Sequence, residues 1–461
     1  MKVSISNLGI LKKAEFDVGD LTIICGANNT GKTYATYALY GFLNFWNEAF
    51  VPDLLGTEAA RKLLNNGSIK VALDEIFNKS RDIINDACTE YINHLPMIFA
   101  APAKYFNTTD FRVTTTGIDF TEIEESIQSP GLNRKTFFHL IKKRGERFIT
   151  VTVVAKAEDI DKASEEWVVH QINRDILQLL FGKMLPSPFI ASIERTGAAI
   201  FRKELDFSRN RLLEHVSNRE KEIDPYTLIS TFYDRGYALP VNADVDFIRN
   251  LEDVVKRESI IAESNPDILK DFDSILGGEY RASKDGLYYI PEKSKTKLTM
   301  GESASSVRSL LNMGIYIKHL ARPGDFLMID EPELNLHPMN QRLMARILAK
   351  LVNASIKIFI TTHSDYILKE FNTLIMLNNP NLIARHVMEK YKYQENELLD
   401  PERIRAYVAK KALIEIDGSL KRQRHNTFLK AKMSRHGIEI DDFDETINMM
   451  NDIQDELLYG G

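Results

Sequence analysis

Near its amino terminus the chain reads Leu21-Thr-Ile-Ile-Cys-Gly-Ala-Asn-Asn-Thr-Gly-Lys-Thr33. The apolar segment Leu21–Cys25 predicts a strand, and a helical pattern of apolar residues runs from Lys32 to about Glu48. The loop between them has the spacing G-x-x-x-x-G-K-[ST], in which glycines let backbone N–H groups wrap a phosphate chain at the helix N-terminus. The pattern therefore predicts a phosphate-binding loop. The alternative is a glycine turn ahead of an ordinary helix.

The residue types of this loop suit a nucleoside triphosphate and its magnesium ion. Lys32 supplies a point charge for the β- and γ-phosphates, and the hydroxyl of Thr33 is suited to bind Mg²⁺. The loop residues that we expect to bind ATP are Gly26, Asn28, Asn29, Thr30, Gly31, Lys32 and Thr33.

A second motif places two carboxylates directly after an apolar segment, in Phe326-Leu-Met-Ile-Asp-Glu-Pro332. A buried strand ending at Asp330 would deliver that carboxylate to the Mg²⁺ shell, and Glu331 would then be placed to polarise an attacking water. Carboxylates at the carboxyl ends of parallel strands face the ligand crevice of an α/β sheet. The alternative is a strand that ends in a solvated acidic turn.

A third motif, Ile358-Phe-Ile-Thr-Thr-His-Ser-Asp365, is another apolar strand with a polar end. Strand and helix patterns alternate over residues 320–375, which predicts a parallel α/β arrangement. His363 would then lie beside Asp330 and Glu331, where it can contact a γ-phosphate or orient the water. The alternative is a histidine that only makes structural hydrogen bonds.

The rest of the chain divides into segments of different pattern. Residues 51–95 look helical, and residues 110–155 alternate with period two between turn signals, which predicts an antiparallel meander. The predicted organisation is an N-terminal lobe over 1–200, a charged helical insertion over 201–276, a C-terminal lobe over 277–380 and an extension over 381–461.

Composition limits the classes of protein that this chain can represent. Of its 461 residues 44% are hydrophobic and 27% charged, as in ordinary globular proteins. No window of about 20 apolar residues predicts a membrane span, and no signal-peptide pattern is evident. Cys25 and Cys88 cannot form a disulfide framework, so we expect a reducing, cytoplasmic location. The net charge of −6 argues against a generally basic nucleic-acid binder.

Taken together, these motifs resemble those of an ABC-type ATPase head of the RecF/SMC/OLD-like branch, an AAA family ATPase. The matching pieces are the Walker A loop at 26–33, the Walker B strand at 326–331, the stretch Asp-Glu-Pro-Glu-Leu-Asn-Leu-His-Pro at 330–338 and Thr-Thr-His-Ser at 361–364. The resemblance implies an α/β head with a mixed or parallel core sheet, an antiparallel β subdomain and a helical insertion.

The resemblance also implies the roles of the site residues. ATP and Mg²⁺ would be the cofactors, with Thr33 and Asp330 as metal ligands and Glu331 and His363 as catalytic residues. Two heads would sandwich two ATP molecules in a homodimer or higher homo-oligomer, and a signature serine of one head would cap the γ-phosphate held by the other.

The signature is where this chain departs from the family pattern. Met300-Gly-Glu-Ser-Ala-Ser-Ser306 stands in place of the usual Leu-Ser-Gly-Gly-Gln wording. Ser305 is the preferred capping residue, with Ser303 and Ser306 as alternatives, and the departure implies weaker ATP-dependent dimerisation or a dimer held by other surfaces. The motifs also do not place a Q-loop glutamine. Glu194 and Arg195 follow a predicted strand and are candidates near that role, with a structural ion pair as the alternative.

At family level the chain resembles the ATPase subunits of bacterial anti-phage systems such as Septu and PARIS. This implies a sensor or switch that controls a separate effector protein, without a membrane partner. The insertion is too short for a long SMC-type coiled coil, and no acidic cluster after His363 indicates a nuclease domain. The alternatives are a DNA-repair ATPase of RecF character that clamps DNA and an ATP-stabilised scaffold with negligible turnover.

The charge of the tail bears on the DNA alternative. Residues 403–435 contain ten Lys or Arg and two acids, whereas residues 439–456 contain eight acids and no base. The basic run suits nucleic acid, although a solvated helix face or pairing with the acidic tail is preferred. Phe443, Ile447, Met450 and Leu457 predict an amphipathic final helix that docks on the head or on a partner.

Overall fold

The computed structural model describes most of the chain. The described residues are 1–115, 119–130, 136–156, 164–200, 237–283, 286–379, 381–415, 423–439, 449–450 and 452–456. The strands within them, in chain order, are β1 (Lys2–Leu8), β2 (Leu11–Asp17), β3 (Leu21–Cys25), β4 (Ser68–Ala72), β5 (Asp110–Thr114), β6 (Glu125–Pro130), β7 (Thr136–Lys142), β8 (Phe148–Val153), β9 (Pro188–Ala191), β10 (Gly278–Ser283), β11 (Gly286–Pro291), β12 (Leu298–Thr299), β13 (Phe326–Asp330), β14 (Lys357–Thr362), β15 (Ile404–Ile414), β16 (Gln423–Lys430), β17 (Lys432–Ser434) and β18 (Gly437–Glu439).

Helices connect these strands and cover the sheets. In chain order they are α1 (Lys32–Glu48), α2 (Thr57–Asn66), α3 (Asp74–Ile92), α4 (Leu95–Phe99), α5 (Glu165–Phe181), α6 (Arg195–Ile200), α7 (Leu239–Arg249), α8 (Leu251–Val254), α9 (Ile260–Ser264), α10 (Pro266–Leu276), α11 (Ser305–His319), α12 (Pro338–Asn353), α13 (Asp365–Leu377) and α14 (Leu382–Tyr391). Among the described residues, no helix is both long and apolar enough to cross a membrane.

One large mixed sheet organises the molecule, with the strand order β5-β1-β2-β16-β15-β3-β14-β13-β9. Its central strands β15, β3, β14, β13 and β9 are consecutive neighbours and run parallel, so their carboxyl ends share one edge. The sheet separates two hydrophobic clusters. On β13, Phe326 and Met328 pack in one cluster, whereas Leu327 and Ile329 pack in the other. Helices on both faces therefore bury every residue of this strand.

A separate antiparallel sheet has the order β4-β8-β7-β6, so the expected α/β fold with a mixed core sheet and an antiparallel β subdomain is confirmed. Two details of the prediction are wrong. β4 lies within the stretch expected to be helical, because Gly67 takes a left-handed φ of 73° and ends α2 before a short strand forms. β5 leaves the expected meander and pairs with β1 in the large sheet.

The tail beyond residue 403 also differs from the expected solvated helix face. β15 lies between β3 and β16, parallel to β3 and antiparallel to β16. Tyr407, Val408 and Ala409 are buried there, although the neighbouring lysines made the segment look like surface. The basic run is therefore mainly a pair of sheet strands. Of the residues predicted to form the final helix, Phe443, Ile447 and Leu457 lie outside the described residues, and Met450 is exposed.

The described part of the predicted insertion packs onto the head. Val245, Ile248 and Leu251 join the hydrophobic cluster that also contains residues of β3 and α11. Residues 201–236, the remainder of that segment, lie outside the described residues. Through Asp244, which bonds the backbone N–H of Ser192 just after β9, α7 therefore brings a side chain from the predicted insertion to the edge of the sheet where the central strands end.

Candidate active site

The predicted phosphate-binding loop joins the carboxyl end of β3 to α1. Nζ of Lys32 donates hydrogen bonds to the carbonyls of Gly26 and Ala27, at 3.0 and 2.9 Å, and the Thr30 hydroxyl donates to Ala27 at 2.8 Å. These bonds direct the ammonium into the loop. Burial lowers the pKa of Lys32, and the nearby charges of Glu331 and Asp330 oppose that shift. Asn28 and Asn29 are exposed on the crown of the loop.

Two glycines of the loop are required by its shape. Gly26 and Gly31 have φ angles of 138° and 100°, which L side chains rarely adopt. A Cβ at Gly26 would lie 2.3 Å from the carbonyl oxygen of Ala409, and a Cβ at Gly31 would lie 2.5 Å from the side chain of Leu11. The loop thus rests directly on β15. Ala409 carries no motif that would have revealed this contact in the sequence.

Asp330 ends β13 and is 1% exposed. Its Oδ1 accepts a hydrogen bond from the Thr361 hydroxyl on the next strand, and Oδ2 has no hydrogen-bond partner among the described residues. Burial raises the pKa of this carboxyl, whereas the hydrogen bond from Thr361 lowers it. A buried, unpaired carboxylate oxygen beside the Thr33 hydroxyl is the oxygen chemistry that Mg²⁺ prefers, so these two residues fit the ion.

Glu331 and His363 meet above the ends of β13 and β14. Nε2 of His363 lies 3.2 Å from a carboxylate oxygen of Glu331. This hydrogen bond is the main reason that the pKa of Glu331 is lowered, despite partial burial. The backbone N–H of Glu331 also donates to the Thr361 carbonyl at 3.1 Å. Both side chains remain partly exposed, so water can reach the pair.

Glu333 is a site residue that our sequence analysis missed. Its carboxylate accepts hydrogen bonds from the Thr362 hydroxyl at 2.8 Å and from the backbone N–H of His363 at 2.6 Å. Burial raises the pKa of Glu333. The side chain therefore ties the turn after β13 to the turn that carries His363. Its place two residues after Glu331, in the quoted stretch at 330–338, was the available signal.

Glu194 and Arg195, the candidates near a Q-loop role, do not pair with each other. Glu194 accepts hydrogen bonds from the Tyr37 hydroxyl at 2.7 Å and from the Ser192 hydroxyl at 3.0 Å. Arg195 instead donates to backbone carbonyls, including that of Glu331 at 2.8 Å. The alternative of a structural ion pair is therefore wrong, and both residues lie at the same edge as the other strand ends.

The three candidate signature serines differ in exposure at the start of α11. Ser303 is buried, and its hydroxyl donates to the Thr299 carbonyl at 2.8 Å. Ser306 is half-buried. Ser305 is exposed and is the first residue of the helix, whose N-cap residue, Ala304, offers no side-chain cap. Of the three, Ser305 is best placed to meet a ligand from outside this chain.

A cavity of about 760 Å³ opens beside Thr33. Aromatic side chains form much of its lining, namely those of Tyr34, Tyr37, Phe99, Tyr105 and Phe106. Polar groups also border it, among them Asn7 from the end of β1. Because aromatic rings stack favourably on planar bases, the cavity has the size and lining for a nucleoside next to the phosphate loop.

Comparison with known proteins gives a family match over most of the chain. The family model described as AAA ATPase domain matches residues 1–368. No curated protein matches the sequence.

Solved structures with some similarity include heads of SMC proteins. An SMC head bound to the C-winged helix domain of ScpA is 11% identical, with a TM-score of 0.31, covering 93% of this chain and 97% of that one. An SMC head with an extended coiled coil, bound to the C-terminal domain of ScpA derived from Pyrococcus furiosus, is 12% identical, with a TM-score of 0.30 and 98% of each chain covered. The head domain from Thermotoga maritima is 10% identical, with a TM-score of 0.29, covering 94% of this chain and 98% of that one.

Proposed function

The chain belongs to the AAA ATPase domain family, and from this membership we propose that it binds and hydrolyses ATP as a dimerising switch. One observation carries the proposal. The ends of three adjacent parallel strands bring together Lys32 and Thr33, the Asp330–Glu331 pair, and His363. This combination supplies a phosphate-binding loop, a metal-binding carboxylate and a hydrogen-bonded base at one edge of one sheet.

In this proposal the loop and two oxygen ligands hold the substrate. Lys32 releases its bonds to Gly26 and Ala27 and contacts the β- and γ-phosphates of ATP, while loop N–H groups bind the same phosphates. Thr33 and Asp330 would hold Mg²⁺, and the cavity beside Thr33 would take the nucleoside. When bound, Mg²⁺ would neutralise charge on the phosphates.

Hydrolysis then depends on the base and its partner. Glu331 accepts a proton from the attacking water, and its lowered pKa keeps the carboxylate ionised at neutral pH. His363 donates to Glu331, which orients the carboxylate, and it faces the terminal phosphate. Glu333 holds the backbone of His363 in place. The side chains of Glu331 and His363, which water can reach, thus act together, and the buried carboxylate of Glu333 supports them.

Dimerisation would complete two such sites at once. Ser305 of one head would reach the γ-phosphate held by a second head, with the exposed N-terminus of α11 adding favourable electrostatics. The exposure of Ser305 and the buried, bonded state of Ser303 support this assignment. Because the paired glycines of the usual signature are missing, we expect a weaker ATP-dependent dimer than in the family at large.

We further propose that the switch controls a separate effector protein, as in bacterial anti-phage defence. Support comes from the C-terminal region, because β15 and β16 complete the large sheet and thereby belong to the ATPase head. The described part of this region therefore extends the ATPase head. In this proposal the effector is another chain, held or released according to the nucleotide state.

Binding of DNA by the basic run is the alternative, and the contacts of that run favour it less. Arg403 pairs with Asp20 at 2.7 Å, and Lys432 pairs with Glu439 at 3.0 Å. Several of these cations are therefore engaged within the chain. Lys421 and Arg422 lie outside the described residues.

A comparison of the wild type with Glu331→Gln tests the proposal. The variant should retain ATP affinity, lose hydrolysis by about a hundredfold or more, and accumulate as an ATP-bound dimer. Glu263→Gln, an exposed glutamate on α9, is the matched control and should behave as wild type. Wild-type turnover in Glu331→Gln would refute the assignment of the base, and an inactive wild type with tight ATP binding would favour the scaffold alternative.

The same variant can identify the partner. Glu331→Gln would be purified from the organism that encodes it, with ATP and Mg²⁺ present, and everything that accompanies it would be identified. A stoichiometric protein supports effector control. Nucleic acid without a protein partner, lost as salt is raised, supports the DNA-clamping alternative instead.

A further inference from the structure

Arg195 is a buried cation at the centre of the candidate site whose role is not explained by phosphate or metal binding. It is 2% exposed and begins α6, directly after the turn that follows β9. Its guanidinium donates to four backbone carbonyls. The acceptors are Ser192 at 2.6 Å, Asp330 at 2.7 Å, Glu331 at 2.8 Å and Ser309 at 2.8 Å. These carbonyls belong to β9's turn, the end of β13 and α11.

This environment is unusual for a buried charge. Among the described residues no carboxylate lies within ion-pair distance of Arg195, and its charge is balanced only through space by Asp244, Asp330, Glu333 and Glu331. Burying a cation without a contacting anion is costly unless its donors are satisfied. The planar guanidinium can satisfy donors in several fixed directions at once, which an ammonium on the same stem cannot do.

The turn held by Arg195 is strained. Glu331 has a φ of 53°, a left-handed conformation that non-glycine residues rarely adopt. Its N–H is fixed by the Thr361 carbonyl, and its own carbonyl is fixed by Arg195. Such a conformation persists only where the surroundings determine it from several sides. Hydrogen bonds to both the N–H and the carbonyl of Glu331 meet that requirement.

A second buried contact ties the same elements together. Asp244 of α7 is fully buried and accepts hydrogen bonds from the Ser192 N–H at 3.0 Å and from the Asn312 side chain at 2.6 Å. Asn312 lies on α11, one turn beyond the Ser309 carbonyl that Arg195 holds. The end of β9 and the signature helix α11 are thus joined twice, once through Arg195 and once through Asp244.

We propose that Arg195 is a positioning residue for ATP hydrolysis, which holds the strained turn so that the Glu331 carboxylate stays beside His363. It also fixes α11, and with it Ser305, relative to that turn. Arg195 itself contacts neither phosphate nor water in this arrangement. The inference rests on the proposed function, because it assigns a role within that reaction.

The test separates binding from turnover. Arg195→Lys keeps the charge but cannot span four carbonyls, and Arg195→Met removes it. In Arg195→Lys we expect kcat to fall roughly 10–100-fold, as small misplacements of catalytic groups do, while the Kd for ATP changes less than about threefold. Circular dichroism and thermal unfolding show whether each variant folds. If Arg195→Met does not fold, the kinetics of Arg195→Lys alone decide the inference.

Lys350→Met is the matched control. Lys350 of α12 is also a buried cation, bonded to Asp267 at 2.8 Å and Asp271 at 2.6 Å on α10, and its loss should lower the Tm without lowering kcat. Wild-type kcat in folded Arg195→Lys, or equal losses in kcat and ATP affinity, would overturn this inference alone. A wild-type chain that binds but never hydrolyses ATP would overturn both it and the proposed function.

Discussion

The imidazole of His363 and the carboxylate of Glu331 are 3.2 Å apart, and their contact bridges two neighbouring strands of the parallel core. Both partners are held through their backbones. The Glu331 carbonyl accepts from Arg195, and the His363 N–H donates to the Glu333 carboxylate. The two side chains are therefore positioned from both turns.

Loss of this contact should slow turnover without preventing binding. We expect His363→Ala to lower kcat about 10–100-fold, because the Glu331 carboxylate loses the hydrogen bond that orients it, while the Kd for ATP stays within about threefold. His386→Ala, an exposed histidine on α14, should leave both constants unchanged. Unaltered turnover in His363→Ala would contradict a catalytic role for the pair.

Lys32→Ala should abolish measurable ATP binding. The ammonium is held inside the loop by two carbonyls, so it is already directed toward the space enclosed by the loop, and its removal leaves the phosphates without their main point charge. Lys62→Ala, at an exposed position on α2, controls for general loss of charge. Titration with a fluorescent ATP analogue measures the effect, and an affinity equal to that of the wild type would exclude the phosphate-loop assignment.

Ser305→Arg should prevent ATP-dependent dimerisation while leaving ATP binding by each head intact. The bulky cation would occupy the exposed start of α11, where the proposal seats the second head's γ-phosphate. In the Glu331→Gln background, light scattering should report a monomer with ATP present, whereas Ser274→Arg, exposed on α10, should still dimerise. If the Ser305→Arg chain still forms an ATP-bound dimer, the dimer interface does not include the start of α11.

Asp244→Asn should change how stability depends on pH. Burial raises the pKa of Asp244 to about 7, with Ser192, Asn312 and Arg195 as its neighbours. Between the unfolded pKa of about 3.9 and this value the folded chain keeps a proton that the unfolded chain has lost. This carboxyl therefore stabilises the fold at low pH, and that stability is lost as pH rises toward 7.

Urea unfolding at pH 5 and pH 8 measures this effect. The asparagine cannot ionise, so the stability of Asp244→Asn relative to wild type should increase by about 3 kcal/mol between the two pH values. Asp246→Asn changes an exposed carboxylate on the same helix and should show a smaller difference. A pH-independent difference for Asp244→Asn would mean that this carboxyl is ionised throughout.

The sequence predicts most of the site because its residues act locally. A glycine loop between a strand and a helix, and carboxylates after an apolar strand, are read from a few consecutive residues, and parallel pairing then places Asp330 and His363 at one edge. Arg195 and Asp244 were harder to assign. Their contacts join elements distant in sequence, and a buried cation bonded to carbonyls leaves no pattern of charge or spacing.

The C-terminal strands show a second reason why part of the fold could not be predicted from the sequence. Residues 403–435 contain ten Lys or Arg, three of them within β15, so the charge pattern favours a surface segment. The strand forms because Tyr407, Val408 and Ala409 are buried where β15 pairs with β3. Tertiary context of this kind overrides local propensity.

The position of β3 has a consequence for how the protein is made. Both of its neighbours, β14 and β15, come from the last part of the chain, although β3 carries the phosphate loop near the first residues. While a ribosome synthesises the chain, both edges of this apolar strand remain unpaired until β14 and β15 have been made. Unpaired strand edges promote aggregation. Nascent chains should therefore be the aggregation-prone form, and ATP should be bound only after synthesis has passed β15.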